Sequence, residues 1–342
     1  MRLLVDVTHP AHVHLFRNAA ETLRDRGHEV RVVARDKDVT LDVLSAYGID
    51  HVCLSQTRSG AAGTLREWLG RGAKLYRYAR AYDPDVVLSR LNPASAHVAA
   101  ALGVPNVVFH DTEVAGLLDR VTLPAAAVVA TPEAFDRELP ARHVRYRGFH
   151  ELAYLHPARF EPDPDVLRDH GVDPDSPYSV VRLVAMDAHH DRGRAGFSRE
   201  HVERLVDGLA EQGPVYVSSE SPLPDSLAGR EPPIPVDAMH DLLAFADCYV
   251  GDSSTMATEA AVLGTPSVRY NPLDREMGNF ERLGDVGLVQ SYLDPERAVD
   301  AAIELAADDD TERRWRRRRR RLLGETVDLT SFTVALVEEV GA

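Results

Sequence analysis

Short apolar runs alternate with amphipathic stretches along the 342-residue chain, and few folds accommodate that alternation. Two strands joined through a helix run parallel, because the helix returns the chain to the edge of the sheet from which it left. Residues 3–7, 30–34, 51–54, 86–89, 107–110 and 128–130 read as strands, with helices expected over 13–25, 40–47, 64–82 and 93–102. Gly27, Gly48 and Gly103 stand where three of these helices should stop. From 148 to 177 the periodicity lapses into a Pro- and Asp-rich stretch, and then the alternation restarts. Strands are expected at 178–184, 215–218, 248–250 and 267–270, and helices at 199–211, 238–246, 254–263 and 295–306. The chain therefore reads as an α/β protein of two Rossmann-like domains, 1–148 and 178–325, joined by a linker at 149–177. Ligands gather outside the carboxyl ends of strands in open parallel sheets, so the active site is expected in an interdomain cleft that both domains face.

Composition narrows the functions. Hydrophobic residues make up 44% and charged residues 27%, and no apolar run approaches the roughly 20 residues of a membrane span. The apolar start, MRLLVDV, turns polar too soon for a cleaved leader, which leads to the expectation of a cytoplasmic protein. Cys53 and Cys248 are too few and too far apart for a disulfide framework or a zinc site. A net charge of −15 argues against a nucleic-acid partner, since neutralising phosphates requires a basic surface. Of the 39 basic residues only Lys37 and Lys74 are lysines, and 54 carboxylates oppose them, the balance of a salt-adapted, halophilic protein.

The strongest local constellation is GDSSTMATEAAVLGTP, residues 251–266. A buried strand ends at Gly251, and Asp252, Ser253, Ser254 and Thr255 open a helix whose unpaired amides and dipole suit a phosphate. Glu259 follows Thr255 by one turn on the same face, where a carboxylate can accept hydrogen bonds from a ribose. An ordinary capped helix with a solvated Glu accounts for the same residues. The first strand runs into THPAHVH, which makes His9, His12 and His14 acid–base candidates, and no Cys or carboxylate in that segment completes a metal set. His110, Asp111, Thr112 and Glu113 follow the fifth strand and should reach the same end of the sheet.

After the first strand of the second half, MDAHHDRGRAG offers Asp187, His189, His190, Asp191 and Arg192 to a phosphate or an acceptor. A divalent cation on Asp187, His189 and Asp191, or a hydrated surface loop, are the other readings. Eight arginines, Arg313, Arg314 and 316–321, follow Asp308, Asp309, Asp310 and Glu312, the order that the helix dipole favours. A solvated helix face accounts for them; the sharper reading is peripheral contact with anionic membrane lipid, with Trp315 as an interfacial anchor.

Two Rossmann-like domains, a His-bearing first loop and the 251–266 segment together resemble the GT-B glycosyltransferases. The nearest comparisons are the MurG-type N-acetylglucosaminyltransferases and the UDP-N-acetylglucosamine 2-epimerases. Ala11, His12 and Val13 stand where the former carry the Gly-His that opens the first helix, although Thr8, His9, Pro10 and Ala11 replace the loop's glycines. Arg26, Gly27, His28, Glu29 and Val30 match the close of that segment, and HDTEVAGLLDR at 110–120 is similar to the second loop. GFHELAYLHP at 148–157 and AHHD at 188–191 look most similar to an uncharacterised, largely archaeal family of predicted glycosyltransferases.

The resemblance implies a GT-B-like fold whose final segment, 326–342, crosses back to the first domain through a helix at 331–340. It implies a nucleotide sugar as partner, UDP-linked in the relatives, with no cofactor or metal required. Ser253, Ser254 and Thr255 would bind the diphosphate and Glu259 the ribose, and the sugar would pass to a hydroxyl acceptor, a lipid-linked one in glycan assembly being one candidate. His12 would be the general base. The alternative is an epimerase with Asp111, Glu113 and His190 around the sugar, and a third reading is a silent nucleotide-sugar-binding protein.

Overall fold

The computed structural model describes residues 1–57, 60–139, 142–184, 196–271 and 277–342. The chain divides into two compact units, Met1–Arg159 with Val327–Ala342, and Phe160–Thr326. In the first, β1 (Arg2–Val7), β2 (Glu29–Asp36), β3 (His51–Gln56), β4 (Val86–Arg90), β5 (Asn106–Phe109), β6 (Val128–Pro132) and β7 (Arg142–Tyr146) form one parallel sheet. Its order, β3-β2-β1-β4-β5-β6-β7, changes direction between β1 and β4. At such a switch point the connections leave on opposite faces, and a crevice opens at the carboxyl ends of the two strands.

The helices α1 (Pro10–Asp25), α2 (Thr40–Ala46), α3 (Ala61–Tyr82), α4 (Pro93–Leu102) and α5 (Leu117–Thr122) complete the first run of the chain. The apolar core between α3, α4 and the sheet contains Leu4, Val33, Leu75, Ala79, Val87 and Ala99. One polar network crosses it. The buried Asp6 carboxylate accepts from Arg71 of α3, from Asn92 at 2.9 Å and from Ser95, so that every partner of this charge is itself fixed. Helix α1 begins at Pro10, earlier than the apolar pattern indicates, because His9 caps it: its Nδ1 accepts from the Ala11 amide at 3.2 Å, and Pro10 at the first position has no N–H to leave unpaired.

In the second unit α6 (Pro164–Asp169) precedes β8 (Ser179–Leu183), α7 (Arg199–Ala210), β9 (Val215–Ser219), α8 (Met239–Ala244), β10 (Cys248–Gly251), α9 (Ser254–Leu263), β11 (Ser267–Tyr270), α10 (Gly278–Asp285), β12 (Val289–Tyr292), α11 (Pro295–Ala306) and α12 (Thr311–Glu325). The sheet is again parallel, in the order β12-β11-β10-β8-β9, with its switch point between β8 and β10. The last helix, α13 (Leu329–Val340), belongs to the first unit, where Thr330 donates to the Ala153 carbonyl at 2.6 Å and Glu338 meets Arg26 and His28. The expected linker, 149–177, holds a short turn at His150–Ala153 within the first unit and α6 within the second.

The arginine run forms α12, and the structure corrects the reading of Trp315. The indole is buried and donates to the Leu288 carbonyl at 2.9 Å, so it is core and cannot serve as an interfacial anchor. Arg318 and Arg319 lie along the same face, donating to the carbonyls of Gly287 and Val262. On the outer face Arg313, Arg316 and Arg321 pair with Asp310, Glu312 and Glu325. No described helix is long and apolar enough to cross a membrane.

Candidate functional site

Residues at the carboxyl ends of β1, β4, β5 and β7 form a charged cluster. His12, in the first turn of α1, accepts at Nδ1 from the Thr8 amide at 3.3 Å, with the Thr8 hydroxyl at the same distance. Arg90, the last residue of β4, is paired with Asp111, which also accepts from Thr112 at 3.0 Å. His150 follows β7 and places Nδ1 2.9 Å from the second oxygen of Asp111. Burial works to raise the Asp111 carboxyl, but the charges of Arg90 and His150 outweigh it and hold the group well below its usual range. His12 and His150 are both pushed down, by burial first, with Arg90 adding to the shift, so both rings are neutral near pH 7.

Neutral imidazoles with different partners carry their protons on different nitrogens. An amide N–H only donates, so His12 Nδ1 is bare and the proton sits on Nε2. A carboxylate only accepts, so His150 Nδ1 carries the proton and Nε2 keeps the lone pair. In these tautomers His12 is an imidazole donor and His150 an imidazole acceptor whose Nε2 is buried. With Thr8 donating to Nδ1, His12 presents a donor at Nε2, and the general-base role expected of it would need the other tautomer.

Other candidates of this unit make contacts within the protein. His110 turns inward, its Nε2 3.1 Å from Asp119 and its ring 5.0 Å from Phe135, and burial depresses it to about 4. Arg137 braces that pair, donating to Asp119 at 2.6 Å and to the carbonyl oxygen of Glu113 at 2.7 Å; Glu113 itself is buried. His9 caps α1 and lies 3.8 Å from Asp38, while His14 packs against Tyr47 and Tyr154. Asp187, His189, His190, Asp191 and Arg192 lie outside the described residues. Arg90 and His150 have no place among the sequence candidates. Their signal was a lone cation closing the apolar run 86–89 and a His within GFHELAYLHP.

In the second unit β10 leads into α9 at the switch point. A Cβ at Gly251 would lie 2.6 Å from the Arg182 carbonyl oxygen, so only glycine lets β10 pass β8 this closely. Ser253 is the N-cap, its Oγ accepting from the Met256 amide at 3.3 Å, and Asp252 accepts from the Val184 amide at 2.7 Å. Ser254 accepts from Arg269 at 2.9 Å, and Thr255 is half-buried in the same turn. Arg269 is fully buried at the end of β11, its guanidinium 3.7 Å above the Phe280 ring. The positive end of the α9 dipole and the guanidinium thus converge on one turn, an arrangement that favours an anion. Glu259 is no solvated surface residue: it is buried, with Oε1 3.1 Å from His240 Nε2. Among the described residues no group of His, Cys, Asp and Glu is placed to hold a metal ion.

Residues 1–209 match a family described as "Protein of unknown function (DUF354)". The uncharacterised protein MJ0665 of Methanocaldococcus jannaschii is 23% identical over 278 residues, which cover 78% of this chain and 81% of that protein. Among solved structures, the spinosyn forosaminyltransferase SpnP is similar with a TM-score of 0.67, at 18% identity and 100% coverage of both chains. A UDP-GlcNAc 2-epimerase from Methanocaldococcus jannaschii has a TM-score of 0.62 at 13% identity, over 90% of this chain and 94% of that one. At such identities the likeness establishes the fold, two parallel-sheet α/β domains of the GT-B kind.

Proposed function

The chain belongs to the DUF354 family, and we propose that it transfers a sugar from a UDP-linked donor to a hydroxyl acceptor. The observation that carries this reading is the first turn of α9, where a capped helix start and the buried Arg269 present positive charge together. A diphosphate gains negative charge as the bond to its sugar breaks, and preorganised donors of this kind stabilise that charge as it develops. Ser253, Ser254 and Thr255 take the diphosphate and Glu259 the ribose.

The first unit supplies the acid–base chemistry. Asp111 holds the His150 Nδ1–H, and His150 Nε2, exposed by a movement of the ring as the acceptor binds, removes the acceptor's hydroxyl proton as that oxygen attacks the anomeric carbon. The bond to the diphosphate breaks with its electron pair, and His12 offers Nε2–H to a substrate oxygen. Acid–base catalysis of this sort contributes roughly 10²- to 10⁴-fold. Support comes from the GT-B fold and from the names of the similar structures, one a glycosyltransferase and one an enzyme of a UDP-sugar.

Epimerisation is the second reading, favoured by the same pair of imidazoles, since one can remove a proton from carbon while the other polarises its neighbour. Incubation with UDP-N-acetylglucosamine in heavy water separates the two. UDP release that needs an added alcohol, without deuterium at the sugar's second carbon, supports transfer. Deuterium at that carbon without any acceptor overturns transfer in favour of epimerisation, and binding with neither outcome marks a silent binding protein.

A further inference from the structure

Between α3 and α4 the first unit has an open cavity of about 520 Å³, within the range of about 300–1,000 Å³ typical of small-molecule sites. Trp68, Leu69 and Tyr76 of α3 form one wall, Ala94 and Val98 of α4 the other, and Leu118 of α5 closes one side. Trp68 is 47% exposed and Leu69 69%, large apolar surface left in water beside a cavity that could cover it. The cations that reach this cavity are neutralised within the protein. Arg35 makes two hydrogen bonds to Glu67, at 2.7 and 2.8 Å, and Arg71 is bound to the buried Asp6. Among the described residues that line it, no cation is left unpaired for an anionic ligand.

Two features tie the cavity to the acid–base cluster. Thr8 lines it, and the Thr8 amide is the group that fixes His12. Leu91 lines it as well, and the preceding residue is Arg90, the partner of Asp111. An apolar ligand filling the space between the helices therefore has one end at Thr8 and Leu91, the residues that adjoin the acid–base cluster.

We propose that this cavity holds the uncharged hydrocarbon body of an alcohol acceptor, with the hydroxyl directed toward the cluster of His12 and His150; the role as acceptor rests on the transfer reading. Isoprenoid alcohols have this chemistry, and farnesol serves as the probe. Trp68 and Trp315 are the chain's two tryptophans, and Trp315 is buried in the other unit, so a change in emission on binding reports on Trp68. Gly72 faces the cavity from a helix interior, and a Cβ there meets no atom within 4 Å, so Gly72→Leu extends a side chain into the space.

Titration of the full chain with farnesol is expected to give a saturable blue shift of tryptophan emission that Trp68→Phe abolishes. Gly72→Leu is expected to weaken binding by about tenfold or more, because the added side chain occupies the volume the ligand needs. Ala73→Phe, at an exposed position on the same wall, serves if Gly72→Leu does not fold. The absence of a saturable shift in the wild type, or equal affinity in the filled variants, overturns the proposal. Thermal unfolding with UDP in parallel keeps the two readings apart. Farnesol binding without UDP binding leaves the cavity site standing and removes the transfer reading, whereas UDP binding without farnesol binding removes the cavity site alone.

Discussion

His110→Phe tests whether the inner side of the first-unit cluster has the electrostatics described. Burial depresses the native imidazole to about 4, against 6.5 in an open chain. With the folded pKa below the unfolded one, the unfolded chain takes up the proton first. The stability linked to this group is therefore whole above pH 6.5 and is lost as the pH falls toward 4. Each pH unit is worth about 1.4 kcal/mol, so between pH 6.5 and about pH 5 the wild type loses about 2 kcal/mol through His110. Phenylalanine fits the space beside Phe135, and Asp119 keeps Arg137 at 2.6 Å, so the variant should fold. At neutral pH it starts lower by about 1–2 kcal/mol for the lost polar contact, and the two curves then converge near about pH 5. His12, His143 and His150 are also depressed, but they slope both curves alike. Urea denaturation across this range reads the difference. A gap that stays constant to within about 0.5 kcal/mol would refute the depressed His110.

Gly251→Ala puts a Cβ 2.6 Å from the Arg182 carbonyl oxygen, an overpacking that should cost about 1–3 kcal/mol in urea unfolding. Trp315→Ala should cost about 3–5 kcal/mol as a core truncation, whereas Arg316→Gln, which removes an exposed pair with Glu312, should stay within about 0.5 kcal/mol of wild type by the same measurement. Asp111→Asn removes the acceptor that fixes the His150 tautomer, and steady-state kinetics should show kcat falling by about 10²- to 10⁴-fold with donor KM little changed.

The elements legible in the sequence are those whose ends are written in it. Helix α9 spans Ser254–Leu263 as expected because Ser253 caps its start and Gly264, at φ +91°, ends it; α11 follows Asp294 and Pro295 in the same way. Strand β7, RHVRY, was not legible: it is a charged edge strand, and edge strands need no continuous apolar run. The start of α1 was obscured because histidine is not a usual cap. The α9 turn is a local motif and could be read from its own residues, although Arg269, fifteen residues after Ser254, could not be placed beside it. The first-unit cluster joins residues 12, 90, 111 and 150, and only the strand order brings them together. Which nitrogen of His12 is bare depends on the direction of one backbone amide, which no residue pattern encodes.

Calorimetric titration of UDP into the wild type and Glu259→Gln tests the central claim most directly, because the donor site must exist before any transfer can. The substitution keeps the shape beside His240 and removes the charge. UDP is expected to bind the wild type, and the variant to bind about tenfold or more weakly through loss of a charged hydrogen bond to the ribose, with an unchanged unfolding midpoint. A wild type that binds no UDP, or a variant that binds it equally well, would contradict the assignment of α9 as the donor site.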